Sequence, residues 1–324
     1  RHTRSLCDWS SDVCSSDLMT ALWRRQPVGI VGLGLIGGSL GLDLLARGAC
    51  VRALVHRPET AARARQRGLA TTVSTDPGVL GDCGLVVLAL PLDRLLDPDP
   101  ALLQALPPLA VLTDVGSVKE PVQAAWRPLG SRFVPGHPMA GTAQAGVEAG
   151  QADLFRDRPW VATPGPDTDP QALLAVRELA EALGARWCCC PAADHDRAVA
   201  LISHLPVLVS AGLLLACEQA SAEAPALAPL LRQLASSGFA DTSRVGGGNP
   251  ELGMLMARTN REEVLRALGL YRKALDDLER LVRAERWREL GELLSLCQSL
   301  RPGYLEPVAA GSRSEEHTSE LQSH

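Results

Sequence analysis

Residues 28–41 read VGIVGLGLIGGSLG, a strand-like run followed by closely spaced glycines. The apolar run Val28–Val31 predicts a buried strand. Over residues 39–47 apolar side chains recur at helical spacing, and Gly48 ends that pattern. A second apolar run follows at once, so this stretch predicts the strand, turn, helix and strand of a βαβ unit.

The glycines of the turn are Gly32, Gly34 and Gly37, at G-x-G-x-x-G spacing. The first permits a tight turn, the second lets the backbone approach a pyrophosphate, and the third lets helix and strand pack closely. The N–H groups at the start of the helix, near Leu35 and Ile36, are then available to phosphate oxygens. In this context the motif predicts that all five residues bind a dinucleotide cofactor.

Further apolar segments alternate with helical ones along the first half of the chain. The predicted strands cover residues 51–55, 71–73, 85–90, 110–114, 160–163 and 186–190, and the predicted helices cover 59–67 and 171–183. Strands that are apolar throughout are typical of a parallel sheet buried on both faces. We predict an α/β Rossmann domain with a mainly parallel sheet over residues 24–191, with Leu90 and Pro91 at the cofactor.

After Pro191 the pattern becomes purely helical. The predicted helices cover residues 194–220, interrupted at Pro206, and residues 227–236, 250–256 and 262–286. We therefore predict an all-α C-terminal domain over residues 192–305. Its helices are too apolar to stand alone in water, so we expect it to be a dimerisation domain that forms a homodimer.

The two ends of the chain have no strand or helix period. Residues 1–18 and 311–324 are rich in polar residues and resemble sequencing-adapter sequence read through in translation. We interpret both as non-native or disordered tails and take Met19 as the natural start; a native disordered tail is the alternative.

Composition limits the possible partners. The 324 residues suit two domains, and the net charge of −5 gives no basic surface for nucleic acid. No uninterrupted apolar run reaches about 18 residues, so no membrane span is expected. Three consecutive cysteines, 188–190, lie in a predicted strand whose side chains alternate between faces, which disfavours a metal clamp. We predict small buried residues there, no metal, and a reduced, cytoplasmic protein.

The second strand indicates which nicotinamide cofactor binds. NAD-binding domains place a carboxylate about 20 residues after the glycine turn to hold the ribose hydroxyl. Here His56 and Arg57 occupy that position, and the first carboxylate is Glu59. An arginine suits a 2′-phosphate, so we predict that NADP is preferred. The alternative is that Arg57 stacks on adenine and NAD binds as well.

A histidine near the carboxyl ends of the strands is the candidate catalytic residue. His137 stands in PGHPMAGT, a segment without amphipathic pattern, which predicts a loop. The segment DVGSVK, residues 114–119, follows a predicted strand and should open into the same crevice. Parallel sheets bind ligands in that crevice, although a lone loop histidine is more often without a catalytic role.

Five stretches together resemble the prephenate/arogenate dehydrogenases of tyrosine biosynthesis. They are GLGLIGGSLG, DVGSVK, GHPMAGT, DHDRAVALISHLP and GFADTSRVGGGNPEL, and they span most of residues 28–260 in the order of that family. The sequences of these stretches are most similar to the cyanobacterial-type, arogenate-preferring branch. The resemblance implies an NAD(P)-dependent oxidative decarboxylation of a small-molecule substrate, in which a hydride goes to the nicotinamide, CO2 leaves, and the ring becomes aromatic.

The resemblance also implies roles for particular residues. His137 matches the histidine that takes the proton of the ring hydroxyl, and Ser117 matches the serine that orients it. His204 and Arg244 match substrate-binding residues, Arg244 as the partner of a carboxylate. Thr142, in GHPMAGT, is carried over as a third substrate-binding residue.

Each substrate-binding residue has a structural alternative. His204 could be a satisfied core histidine, and Arg244 could pair with Asp241 to stabilise its loop. His195, between two aspartates, is interpreted as a helix-start residue and left out of the site. Some prephenate-using relatives have a carboxylate where this chain has Ala143, a departure that favours arogenate.

Two rival functions stay open. A β-hydroxyacid dehydrogenase would share the Rossmann and helical domains, but it needs a lysine on the first long helix of the second domain. The only lysines here are Lys119 and Lys273, neither of which lies on that helix. A non-enzymatic dimer that senses NADP(H) would need the glycine turn and not the histidines.

Overall fold

Six strands form one parallel sheet in the computed structural model, which describes residues 21–142 and 144–305. They are β1 Val28–Val31, β2 Val51–Leu54, β3 Thr72–Ser74, β4 Leu85–Leu88, β5 Val111–Asp114 and β6 Phe133–Val134. Their order across the sheet is β3-β2-β1-β4-β5-β6. The predicted parallel sheet is therefore confirmed, and β6, only two residues long, is the strand that the sequence pattern missed.

Helices cover both faces of this sheet. They are α1 Leu22–Arg25, α2 Leu35–Ala46, α3 Pro58–Gln66, α4 Leu92–Leu96, α5 Pro100–Ala105, α6 Glu120–Trp126 and α7 Pro170–Ala182. Two apolar cores result, one centred on Ile30 and Leu40 and the other on Val86 and Leu112. The side chains of adjacent strand residues Val86 and Val87 belong to different cores, as the alternation of a strand buried on both faces requires.

A second, three-stranded sheet lies beside the first. It consists of β7 Gly136–Pro138, β8 Pro159–Ala162 and β9 Arg186–Cys189, with β7 antiparallel and β9 parallel to β8. The prediction that His137 lies in a loop is wrong, because His137 pairs with Val161 in this sheet. A three-residue strand that ends in proline has too few positions to show alternation, so its residues do not indicate a strand.

The predicted burial of the three cysteines is wrong in part. Cys188 is exposed, and Cys189 and Cys190 are half-buried. The strand itself is confirmed, but β9 lies at the edge of the three-stranded sheet, where one of its sides pairs with no strand in the part of the chain that the structure describes.

The remainder of the described chain is helical, as predicted. The helices are α8 Ala192–Val199, α9 Leu205–Glu223, α10 Leu227–Leu234, α11 Ser237–Ser243, α12 Pro250–Thr259, α13 Arg261–Arg283 and α14 Trp287–Leu305. A wide π-helical turn, Ala200–His204, joins α8 to α9 directly before Pro206. Proline lacks an N–H and its ring clashes with the preceding turn of an α-helix, which accounts for the local widening.

By compactness the described chain divides into two units between Ala267 and Leu268, inside α13. The first unit holds both sheets and the helices up to the start of α13. The second unit, as far as it is described, consists of the rest of α13 and α14, whose surfaces carry ion pairs one turn apart such as Arg283–Glu279. The predicted boundary near residue 191 stays a prediction.

One helical stretch, Ala192–Glu223, is long and apolar enough to cross a membrane by length and composition. A count of uninterrupted apolar residues predicts no membrane span, whereas the helix continues through polar positions such as Ser203 and His204. Of the most apolar part of this stretch, 28% is buried within the chain. Core helices of globular proteins have the same length and composition, so its apolar surface requires a cover of some kind.

Candidate active site

The glycine turn lies at the carboxyl end of β1, where the sheet order reverses between β1 and β4. Gly32 has φ +96, a backbone conformation that side-chain-bearing residues rarely adopt, and a Cβ there would lie 2.4 Å from the Ala89 carbonyl oxygen. A Cβ on Gly37 would lie 1.9 Å from the Gly32 carbonyl oxygen. Both positions therefore require glycine, and they bring helix α2 against the end of β1.

The start of α2 has the features of a phosphate site. Its N-terminal cap is Gly34, so no side chain occupies the first free N–H groups of the helix. A Cβ on Gly34 would meet nothing within 4 Å, which shows open space next to the backbone. The amides of Leu35, Ile36 and Gly37 have no acceptor within the helix, because they belong to its first turn. These residues fit the pyrophosphate of a dinucleotide.

The other predicted cofactor residues lie at the same edge of the sheet. His56 and Arg57 follow β2 and are exposed, and the Arg57 side chain forms no ion pair with the described residues. Leu90 and Pro91 follow β4, which ends two residues earlier than predicted. Because β1 lies between β2 and β4, these residues and the glycine turn come from three adjacent strands.

A chain of three buried side chains begins at His137. The Nδ1 atom of His137 lies 2.9 Å from Nε2 of His195, with the two rings nearly perpendicular at 71°. Nδ1 of His195 lies 2.7 Å from Oδ1 of Asp196. Burial lowers the pKa of His137 well below its ordinary value, and the nearby Lys119, His195 and His204 lower it further. His137 is therefore a neutral imidazole in the resting protein.

A buried lysine fixes the strand that carries His137. Lys119 is fully buried and donates to the Asp114 carboxylate, and its ammonium also donates to the carbonyl oxygen of Gly136. The other Asp114 oxygen accepts from the Gly136 N–H at 3.0 Å. Burial lowers the pKa of Lys119, while the charge and hydrogen bond of Asp114 act in the opposite direction. The residue before His137 is thus held on both backbone groups.

His204 has one ring nitrogen bound and the other without a partner. The amide nitrogen of Asn260 donates to the backbone oxygen of Asp196 at 2.7 Å and lies 3.3 Å from Nδ1 of His204. An amide N–H pointing at Nδ1 leaves the hydrogen of neutral His204 on Nε2. That Nε2 atom is buried without a hydrogen-bond partner among the described residues. Burial lowers the pKa of His204 to about 4, so the ring is neutral and Nε2–H is a free donor.

The remaining predicted substrate residues are not joined to this cluster. Ser117 is half-buried after β5, and no hydrogen bond within the described chain links it to His137. Thr142 is exposed, and its hydroxyl accepts from the Gln144 N–H at 3.2 Å. Arg244 follows α11, is exposed, and makes no ion pair with Asp241. Ala143 lies outside the described residues.

Three residues of the cluster are not predicted as site residues from the sequence: His195, Asp196 and Asn260. His195 was interpreted as a helix-start residue, and it does lie in the first turn of α8. The feature that could have indicated His195 is the sequence DHD, residues 194–196, in which two carboxylates flank the histidine. In the structure only one of them, Asp196, is buried. Asn260 stands alone between α12 and α13, and nothing in its sequence surroundings indicates a role.

Comparison with known families covers most of the chain. "Prephenate dehydrogenase, nucleotide-binding domain" matches residues 40–189, and "Prephenate dehydrogenase, dimerization domain" matches residues 191–296. The prephenate dehydrogenase of Bacillus subtilis is 28% identical over 291 residues, which cover 86% of this chain and 76% of the relative.

Two crystal structures are similar over nearly their whole length. The arogenate dehydrogenase of Synechocystis is 42% identical, with a TM-score of 0.73, over 86% of this chain and 99% of that one. The prephenate dehydrogenase of A. aeolicus, solved in complex with hydroxyphenyl propionate and NAD+, is 28% identical with a TM-score of 0.80, over 86% and 98%.

Proposed function

The chain belongs to the prephenate dehydrogenase family, and from that premise we propose that it catalyses the NAD(P)-dependent oxidative decarboxylation of arogenate to tyrosine or of prephenate to 4-hydroxyphenylpyruvate. One observation carries the proposal. His137 is a buried, neutral imidazole, fixed in orientation by a strand on one side and by His195 on the other. A neutral imidazole so oriented is suited to take a proton from a hydroxyl group.

In this reaction His137 takes up a proton from the substrate and later gives it back. His137 takes the proton of the ring hydroxyl as the carbon that bears it becomes a carbonyl. When the ring carboxylate leaves as CO2, its bonding electron pair enters the ring, which becomes aromatic, and the oxygen takes the proton back. The proton balance therefore closes on His137, which is neutral before and after each turnover.

The cofactor would bind mainly to backbone N–H groups and less to side chains. The N–H groups at the start of α2 would bind the pyrophosphate beside Gly34, and Gly32 and Gly37 bring helix and strand close enough for it. When bound, the nicotinamide supplies the acceptor for the hydride that leaves the ring carbon. Leu90 and Pro91, at the end of β4, would line the same crevice.

Substrate binding is assigned to His204, Arg244 and Thr142, with Ser117 orienting the hydroxyl beside His137. The support is strongest for His204, because its buried Nε2–H has no acceptor among the described residues and a buried donor without a partner costs about 1–3 kcal/mol. A substrate oxygen would satisfy it. Arg244 is exposed and forms no ion pair among the described residues, so its planar donors are available for a carboxylate.

For the finer substrate choice we propose arogenate. Support comes from the 42% identity to an arogenate dehydrogenase over nearly its full length and from the absence of a carboxylate at position 143. For the cofactor we propose NADP, because the exposed Arg57 follows β2 where NAD-binding domains have a carboxylate. A carboxylate at this position would also repel a 2′-phosphate, and this chain has His56 and Arg57 there instead.

The helical part is proposed to form a homodimer in the cytoplasm. A dimerisation domain matches residues 191–296, and within this range large apolar side chains are exposed on the first unit, among them Ile202 at 60% and Leu234 at 69%. A second copy would cover them without a membrane. Analytical ultracentrifugation should give twice the mass of the chain, and a stable monomer would contradict this proposal.

Turnover by the full chain tests the function. Absorbance of the reduced nicotinamide is followed with arogenate and with prephenate, each with NADP and with NAD. We expect the highest kcat/KM for arogenate with NADP. Prephenate alone would keep the family and overturn the substrate choice, whereas a folded protein that binds cofactor and turns over neither would refute the enzymatic proposal and favour the cofactor-sensing dimer.

A further inference from the structure

Three buried side chains form a hydrogen-bonded series that ends at the proposed site. The group at the inner end of the series determines which atoms carry the hydrogens. They are His137 on β7 and His195 and Asp196 on α8, none more than 8% exposed. Ring nitrogen lies opposite ring nitrogen at 2.9 Å, and ring nitrogen opposite carboxylate at 2.7 Å. One hydrogen lies between each pair, so when both rings are neutral the ionised carboxylate of Asp196 determines which nitrogen of each ring carries its hydrogen.

Asp196 accepts hydrogen bonds at both carboxylate oxygens. Oδ1 accepts from the backbone N–H of Lys119 at 2.7 Å, and Oδ2 accepts from the backbone N–H of Glu120 at 2.9 Å. An ionised carboxylate has no hydrogen to donate and acts as an acceptor only. The remaining bond, to His195, therefore has its hydrogen on Nδ1 of His195.

The next link follows from the chemistry of a neutral imidazole, which has one donor and one acceptor nitrogen. With its hydrogen on Nδ1, His195 presents a bare Nε2 to His137. Nδ1 of His137 must then be the donor, and Nε2 of His137 has no hydrogen. This Nε2 has no hydrogen-bond partner among the described residues, and 8% of the surface of His137 is exposed.

We infer that Asp196 and His195 are positioning residues that fix His137 in the tautomer whose Nε2 accepts the substrate proton. The inference rests on the proposed function for its catalytic consequence, and on the hydrogen bonds alone for the tautomer. With the opposite tautomer, Nε2 of His137 would carry a hydrogen and could not act as a base.

The same arrangement compensates the charge that His137 acquires. When Nε2 takes a proton, the cation keeps its Nδ1–H bond to His195, and the Asp196 carboxylate lies directly behind that ring. The charged and titratable groups around it are Lys119, Asp114, Asp196 and His204. The positive charge of Lys119 is matched by Asp114, which leaves Asp196 for His137 and His195.

The test combines a spectroscopic readout of the tautomer with kinetics on the full chain. In protein labelled with 15N-histidine and free of ligands, His137 and His195 should both show hydrogen on Nδ1 and a bare Nε2, with signals assigned by single His→Gln variants. Asp196→Asn, which removes the charge but not the shape, should lower kcat about 10²-fold or more with little change in KM. Its spectrum should show the altered tautomer.

The chain offers a matched control. Asp194→Asn changes the other carboxylate next to His195. The Asp194 side chain is 61% exposed in a surface pair with Arg197, so this variant should leave kcat and the spectrum unchanged. In a second pair, His195→Ala should lose activity as Asp196→Asn does. His195→Gln, which puts an amide oxygen near the position of Nε2, should restore part of it even if the Asp196 variant fails to fold.

The outcomes separate this inference from the proposed function. Hydrogen on Nε2 of His137 in the wild-type protein, together with normal turnover, would overturn the tautomer and leave the function standing. Full activity of Asp196→Asn would overturn it as well. A wild-type spectrum as expected in a protein that turns over neither arogenate nor prephenate would refute the function and keep the tautomer.

Discussion

The cofactor edge and the histidine cluster belong to the same unit of the chain but are built in opposite ways. At the cofactor edge, one short stretch from Gly32 to Gly37 supplies a turn, a close contact and free backbone N–H groups. In the histidine cluster, His137 and His195 meet through their side chains across 58 positions of sequence, and the Asp196 side chain accepts from the backbone N–H of Lys119, 77 positions away. A site made of backbone can be recognised in a motif, whereas a site made of side chains exists only after the chain has folded.

The largest effect we expect separates chemistry from cofactor binding. His137→Asn removes the proposed base and should lower kcat about 10²–10⁴-fold. The Kd for cofactor should stay the same, because the glycine turn does not depend on this side chain. Steady-state kinetics and a fluorescence titration with NADPH measure the two quantities. A comparable loss of cofactor affinity would show that the two regions are one site.

The two lysines of the chain allow a matched comparison of stability. Lys119→Met leaves the buried Asp114 without its cation and should lower the free energy of unfolding by about 3–5 kcal/mol. Lys273→Met, at an exposed position of α13, should change it by less than about 0.5 kcal/mol. Urea denaturation measures both, and equal effects would contradict the assigned role of the buried pair.

Acid should act on the histidine cluster through His204. Its pKa is lowered to about 4 in the folded chain, so below the ordinary value of 6.5 the unfolded chain binds a proton that the folded chain does not. Stability is therefore present above pH 6.5 and is lost as the pH falls towards 4. The stability difference between wild type and the non-titrating His204→Asn should shrink by about 2–3 kcal/mol between pH 7 and pH 4.5. A constant difference would contradict the lowered pKa.

Two glycines of the cofactor edge should respond differently to the same added methyl group. Gly37→Ala places a Cβ 1.9 Å from a backbone oxygen and should destabilise the fold by about 1–3 kcal/mol or more. Gly34→Ala has open space in the free protein and should keep its thermal stability while binding cofactor more weakly. Thermal melts with and without NADP distinguish these results, and matching melts for both variants would contradict the close approach at Gly37.

The smallest effect concerns the exposed Arg57. Arg57→Ala should reduce the ratio of kcat/KM for NADP over NAD by about tenfold, roughly 1.4 kcal/mol, since an exposed charged hydrogen bond is worth little more. Arg65→Ala is the control, because Arg65 lies on α3, which begins directly after Arg57, but its side chain donates to the Val73 carbonyl oxygen; this variant should leave the ratio unchanged. An unchanged ratio in Arg57→Ala would leave NADP preference without its proposed cause.

Much of the fold could be predicted from the sequence because it rests on local patterns. The strands from Val28 to Asp114 and the purely helical region after Pro191 follow from apolar runs and helical periodicity. The strand that carries His137 could not be predicted, since it is held by pairing with Val161 and by Lys119, not by its own residues.

The candidate site divides in the same way. The tight turn at Gly32 and the close approach at Gly37 could be predicted, because a turn, a helix start and a close approach need particular backbone conformations that the sequence itself specifies. His195 was set aside because its neighbours in sequence gave it an ordinary explanation at the start of a helix. Its contact with His137 depends on how α8 packs against β7.

By itself the sequence determined a parallel α/β domain with a dinucleotide turn and an all-helical continuation, because backbone geometry and the burial of apolar faces act over a few residues at a time. Only the tertiary structure decided that Asp196, His195 and His137 form one series, and that Lys119 is buried against Asp114. Hydrogen bonds between distant side chains depend on packing to within about half an ångström, which no short stretch of sequence specifies.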